Sequence, residues 1–218
     1  MSESGTGTGT ASATASASSS SSNRKTTNVT NVLEFMMLVG QLKRVKRAGW
    51  IIKEVRDVES VADHMYRMAI MSMLLDCRHH LDKSKCIKLS LVHDLAEAIV
   101  GDLTPHDNVE KAEKHLQEMR AMQHACSLLD KEPSEEIYSL WEEYEAQETP
   151  EARVVKDLDR FDMVLQAYEY ERLEDRPGEL QDFYRSTQGS FKHPDVIAWM
   201  SELHRLRGEF PAAEKSGD

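Results

Sequence analysis

Residues 89–102 read LSLVHDLAEAIVGD, an apolar helical segment interrupted by His93 and Asp94. A charged or titratable side chain is costly to bury without a partner, so this pair needs an explanation. Upstream, His64 interrupts a second amphipathic helix in ESVADHMYRM (59–68). Downstream, Asp159 does the same in VVKDLDRFDMV (154–164). His64 follows Val61 by three residues and precedes Met68 by four, so it shares the buried stripe of its helix. A lone histidine there reads as a hydrogen-bonded core residue. An aspartate is rarely buried unless paired or coordinating, and Asp94 shifts the reading toward a shared site. Asp159 lies four residues beyond Val155 and next to Leu158, at the edge of the core face. Its plain alternative is a salt bridge to Arg153, Lys156 or Arg160. Asp157 and Asp162 compete for its role, Asp157 being roughly two 100° steps away around the helix.

Two imidazoles and two carboxylates brought together from three helices suit a borderline-to-hard divalent ion such as Mn, Co, Fe or Zn. Four protein ligands leave positions open, the mark of a catalytic rather than a structural site. An ion held this way acidifies water toward neutral pH, which suits hydrolysis at phosphorus.

Working outward, the pattern is helical throughout. A first helix is expected from Asn31 to Lys46, ended by Ala48-Gly49, with a loop to Glu59. Ser60 is an N-cap, with Asp63 completing a short capping box. Asp82 or Ser84 caps the helix that runs to Leu95. Gly101-Asp102-Leu103-Thr104-Pro105 forces a loop. Further helices are expected over 108–129, from Pro133, over 151–174 behind Pro150, and over 194–206, with Pro177-Gly178 as a break. The spacing predicts an all-α, compact, single-domain helical bundle of six to eight helices over residues 29–210.

Residues 1–28 are almost entirely Ser, Thr, Gly and Ala, and residues 211–218 are short and polar; both are expected to be disordered tails. Arg24 and Lys25 are the only basic residues of the N-terminal tail, and it has no amphipathic face, so organelle targeting is disfavoured. A formal net charge of -11 argues against a nucleic acid polymer as partner, without excluding a small anion in a local basic pocket. No run approaches a membrane span. Cys77, Cys86 and Cys126 are scattered and odd in number, as in a reducing compartment. The expected location is cytoplasmic, with the nucleus as second choice.

DVESVADHMYRMA (57–69), LVHDLAEAIVGDLTP (91–105) and VVKDLDRFD (154–162) resemble the 5′-deoxynucleotidase family of the HD-domain metal-dependent phosphohydrolases, especially its eukaryotic branch. The similarity covers about Val32 to Leu206. It implies an HD-type bundle with His64, His93, Asp94 and Asp159 as metal ligands. It also implies removal of the 5′-phosphate from deoxyribonucleoside monophosphates, supported by Mn or Co, with Mg, Fe or Zn as further candidates, and a homodimer.

The resemblance places Glu97 and Asp102 in the catalytic set and Arg47, Trp50 and Asp102 against the substrate. Glu97 is four residues after His93 and shares its face if the helix continues, where it could exchange protons with water or the leaving oxygen. Asp102 would lie by the sugar 3′-hydroxyl. Arg47 ends the cluster Lys43, Arg44, Lys46, Arg47, which reads either as charge at a helix C-terminus or as a phosphate contact. It is spaced R-A-G-W here, where bacterial members have R-W. Trp50 offers either a stacking ring or core packing. His106, His115 and His124 are nine residues apart, so on a helix successive members lie about 180° apart and do not converge; one metal is expected. The alternatives left open are another HD phosphohydrolase, acting on a triphosphate, a cyclic nucleotide or a non-nucleotide phosphomonoester, and a non-catalytic metal-bound interaction module.

Overall fold

The computed structural model of the chain describes residues 1–2, 5, 28–76, 80–104 and 107–209. Most of the expected N-terminal tail, the expected C-terminal tail, Cys77, His79 and His106 lie outside the described residues. Among the described residues there are ten α-helices and no strand; the only extended pairing is an isolated bridge between Lys46 and Ser60.

Helix α1 (Val29–Val39) is capped by the Asn28 side chain, which accepts from the Thr30 amide. The expected first helix does not run on to Lys46. It tightens into a 3-10 turn over Gly40–Lys43, with Leu42 buried in the core. A short helix α2 (Ala48–Ile52) stands where a loop is expected. It forms because Trp50 buries its ring and draws the turn onto the core.

Helix α3 (Val61–Leu74) begins at the expected capping box. The Asp63 amide donates to the Ser60 hydroxyl, and the Asp63 carboxylate accepts from the Ser60 amide. A Ser60→Ala variant should lose about 1 kcal/mol, read as a lower urea midpoint at neutral pH. The Ser60 hydroxyl and amide hold the Asp63 carboxyl below its ordinary value. Its contribution is therefore present above the ordinary carboxylate range and is lost as pH falls through the lowered value, so the variant's deficit should shrink in acid.

Helix α4 (Lys83–Val92) is capped by Asp82, and α5 (Glu97–Val100) follows a turn at 93–96. The helix expected to run to Leu95 stops at Val92 for a local reason. The His93 Nδ1 donates to the Ser90 carbonyl at 3.0 Å, the acceptor that the Asp94 amide would use in a continuing helix. The turn proceeds with 3-10-type bonds, Leu95 to Val92 and Glu97 to Asp94.

Helices α6 (Lys111–Ser127) and α7 (Lys131–Ala146) form a hairpin. Helix α8 (Pro150–Leu173) is capped by Thr149 with Pro150 at its first position. Helix α9 (Gln181–Ser186) is a short addition, and α10 (Pro194–Glu209) closes the bundle. No helix among the described residues is long and apolar enough to cross a membrane.

The core has two lobes. One gathers Met68, Leu75, Leu89, Val155 and Leu158 around α8. The other gathers Leu42, Val61, Met65, Met122 and Trp141. Helices α3, α4 and α8 pack on one another, so the polar residues on their facing sides converge where the lobes meet.

Candidate metal centre

His64 on α3, His93 at the end of α4 and Asp159 in the middle of α8 bring their ligand atoms within 4.8 Å of one another. His64 Nε2 is 3.3 Å from Asp159 Oδ1 and 3.9 Å from Asp94 Oδ2, and His93 Nε2 is 3.1 Å from Asp94 Oδ2. The four residues singled out in the sequence thus meet at one point. The histidine side chains are fully buried, whereas Asp94 and Asp159 keep 19% and 16% of their side-chain surface exposed. The cluster therefore has a closed imidazole floor and a carboxylate side open to solvent.

Each imidazole is fixed from behind. The Ser90 carbonyl can only accept, so His93 Nδ1 carries the proton and Nε2 presents its lone pair inward. His64 Nδ1 lies 2.6 Å from the buried Asp162 carboxylate, the same arrangement with a carboxylate acceptor. Both Nε2 atoms are buried and make no hydrogen bond among the described residues. Two orphaned, correctly oriented imidazole nitrogens beside two carboxylates fit a divalent cation. Without one, burial and Arg47 would lower the His64 pKa, but the Asp159 and Asp162 carboxylates outweigh them and raise it to about 9.

The rivals of Asp159 are committed elsewhere. Asp157 accepts from the Lys192 and His193 amides at 2.7 and 2.8 Å, and Asp162 pairs with His64 and Arg67. Of the partners weighed for Asp159, Lys156 is present at 2.8 Å, joined by Tyr144, whose hydroxyl donates to Asp159 at 2.9 Å. Tyr144 and Arg67 escaped the sequence reading. Arg67 is three residues after His64 on the same face, and it gathers Asp162, Glu169 and Gln166 behind the site.

Arg47 reaches the cluster from the start of α2, with NH1 3.4 Å from Asp94 Oδ2. Glu97 is buried at 4% exposure, and its Oε2 has no hydrogen-bond partner. Burial, then the Asp94 and Asp102 carboxylates, push its pKa well up. Asp102 accepts from the Ala48 amide at 2.7 Å, tying the loop after α5 to the first residue of α2. Trp50 is 2% exposed: its Nε1 donates to Glu59, and its ring packs against Tyr170 and Phe183. Of the two readings of Trp50, the structure gives core packing with one side on a cavity.

That cavity, about 470 Å³, is lined by apolar Trp50, Ile52, Met163 and Phe183 and by charged Arg47, Lys53, Asp102 and Asp182. His115 meets Glu118 and Glu145 at the surface instead of other histidines.

The HD domain family matches residues 39–196. The 5′-deoxynucleotidase HDDC2 of Xenopus laevis is 56% identical over 177 residues, covering 81% of this chain and 88% of that protein. The human protein of the same name is 52% identical over 186 residues, covering 85% and 91%. Among solved structures, a conserved hypothetical protein from Pyrococcus furiosus superposes with a TM-score of 0.66 at 33% identity, covering 80% of this chain and 99% of that one. The expected all-α class and family are borne out: the chain belongs to the HD-domain family, in the group that contains the 5′-deoxynucleotidases.

Proposed function

We propose that the chain hydrolyses deoxyribonucleoside 5′-monophosphates to deoxynucleoside and phosphate. One observation carries this reading: two buried imidazole nitrogens without partners face Asp94 and Asp159 beside Arg47. The relatives named 5′-deoxynucleotidase support it. His64, His93, Asp94 and Asp159 would hold one divalent ion, Mn or Co by preference. When bound, that ion supplies a Lewis acid at the phosphate and acidified water for attack on phosphorus.

The chain's own residues do the rest. The Arg47 guanidinium, held charged by the surrounding carboxylates, is placed to pair with a phosphate oxygen on the solvent side of Asp94. Glu97, whose burial favours its protonated form, is suited to give a proton to the leaving 5′ oxygen and to recover one from water. The apolar cavity beside Arg47 suits the nucleoside, with Trp50 as a fixed wall and Asp102 toward the sugar. Asp102 already holds the Ala48 amide, so its role is to place the Arg47–Trp50 segment as well as to meet a hydroxyl.

Exposed Leu33, Met36 and Met37 on α1 suit a homodimer face, and the buried thiols of Cys86 and Cys126 suit the cytoplasm or nucleus.

Phosphate release is the test, measured over ribo- and deoxyribonucleoside monophosphates with Mn or Co and again with chelator. Release from the deoxy series, stopped by chelator, is expected; a folded, metal-loaded protein silent on every monophosphate overturns the reading. An Asp162→Asn variant should bind Mn about 10- to 100-fold more weakly by calorimetry, because the carboxylate no longer orients His64. Unchanged affinity would remove Asp162 from that role.

A further inference from the structure

A second cavity, of about 440 Å³, shares no lining residue with the apolar one. Arg153, Lys156 and Arg160 enter it from α8 at spacings of three and four, hence from one helix face. Lys111 from the first residue of α6 and Lys192 from the segment before α10 face them. Like charges at this spacing repel, and such a cluster is unexpected in a chain of net charge -11.

The lining carboxylates do not neutralise it. The lining sets two carboxylates against five cationic side chains: Asp157 accepts from the Lys192 and His193 amides and pairs with Arg160 at 3.8 Å, and Glu145 pairs with His115. Lys111 and Lys192 make no ion pair among the described residues. Among the described residues, Arg153 donates to the Gln147 carbonyl alone. Lys156 links the cavity to the metal centre, because its Nζ donates both to Asp159 and to the Tyr144 hydroxyl, at 2.8 and 3.1 Å.

We propose that this cavity binds a compact polyphosphate, as a second anion site separate from the reaction centre. Two guanidinium forks and three ammonium groups around one hollow match the several oxygens of a phosphoanhydride better than a single carboxylate or sulfate. The donors could meet either a free pyrophosphate or the phosphate chain of a nucleoside triphosphate. The site does not depend on the hydrolysis proposed above.

The test is calorimetric titration of the full-length chain with pyrophosphate and with dATP, without added metal. Pyrophosphate should bind with one equivalent, and equally to an Asp94→Ala variant, which separates this site from the reaction centre. An Arg153→Glu/Arg160→Glu variant should weaken binding by about tenfold or more. Lys192→Glu, at an exposed side chain, should weaken it in the same direction and guards against a misfolded double variant. Tighter binding of dATP than of pyrophosphate assigns the nucleotide as source, and equal binding assigns the phosphate chain alone. No binding at millimolar pyrophosphate, loss of binding in Asp94→Ala, or a Kd unmoved by Lys192→Glu overturns the proposal.

Discussion

An Asp94→Ala variant should release phosphate from deoxynucleoside monophosphates at least about 1,000-fold more slowly than the parent chain, and should no longer retain Mn through gel filtration. The magnitude follows from removing a Lewis acid worth several kcal/mol at the transition state, where each 1.36 kcal/mol is about tenfold in rate. Asp94 is singular among the clustered residues. It lies within 4 Å of both His64 Nε2 and His93 Nε2, and it is also the partner of Arg47. Its loss would remove a proposed ligand and free the guanidinium together. The fold should survive, because Asp94 sits in the turn after α4 with its side chain partly exposed. Circular dichroism should therefore match the parent. A variant that keeps both its Mn and its turnover would move the metal elsewhere. One that loses Mn yet keeps every activity would make the ion structural.

Glu97→Gln should cost about 10²- to 10⁴-fold in kcat, the range for a positioned general acid or base, while Mn content stays at the parent level. The amide has nearly the carboxyl's shape, and the Glu97 Oε2 has no hydrogen-bond partner to lose, so packing is preserved. The separation of the two readouts matters. A slow variant with full metal assigns Glu97 to proton handling, a slow variant with depleted metal assigns it to ligation, and a variant within a few-fold of the parent removes it from the chemistry. Burial and the Asp94 and Asp102 carboxylates favour the protonated form of Glu97. Activity that needs the protonated Glu97 should accordingly persist above the pH at which an ordinary glutamate ionises and fall as pH rises through its raised value.

The helices that carry the site were legible because their signals are local. Ser60 with Asp63, Asp82, and Pro150 each start a helix where capping and first-turn chemistry says they should, whereas the Thr149 cap went unread. His64 and Asp159 were legible because a polar residue on an apolar stripe stands out against its period. What escaped was set by tertiary contacts. Helix α2 exists because Trp50 has a hollow to fill between Tyr170 and Phe183, more than a hundred residues away. Asp162 was visible as a competing ligand, yet its pairing with His64 and Arg67 depends on how α3 crosses α8. The halt of α4 at His93 escaped because it arises from a side chain capturing a backbone carbonyl, which no periodicity records.

That halt makes residues 93–96 a fixed-length spacer. A turn at the surface ordinarily accepts an added or missing residue. Here one residue more or less would rotate α5 by roughly 100° and carry Glu97 out of its buried position while His93 stayed in place. Insertion or deletion scanning should find these few residues closed to any change of length. The segment behaves as a ruler rather than a hinge, so redesign of this centre has to proceed by substitution.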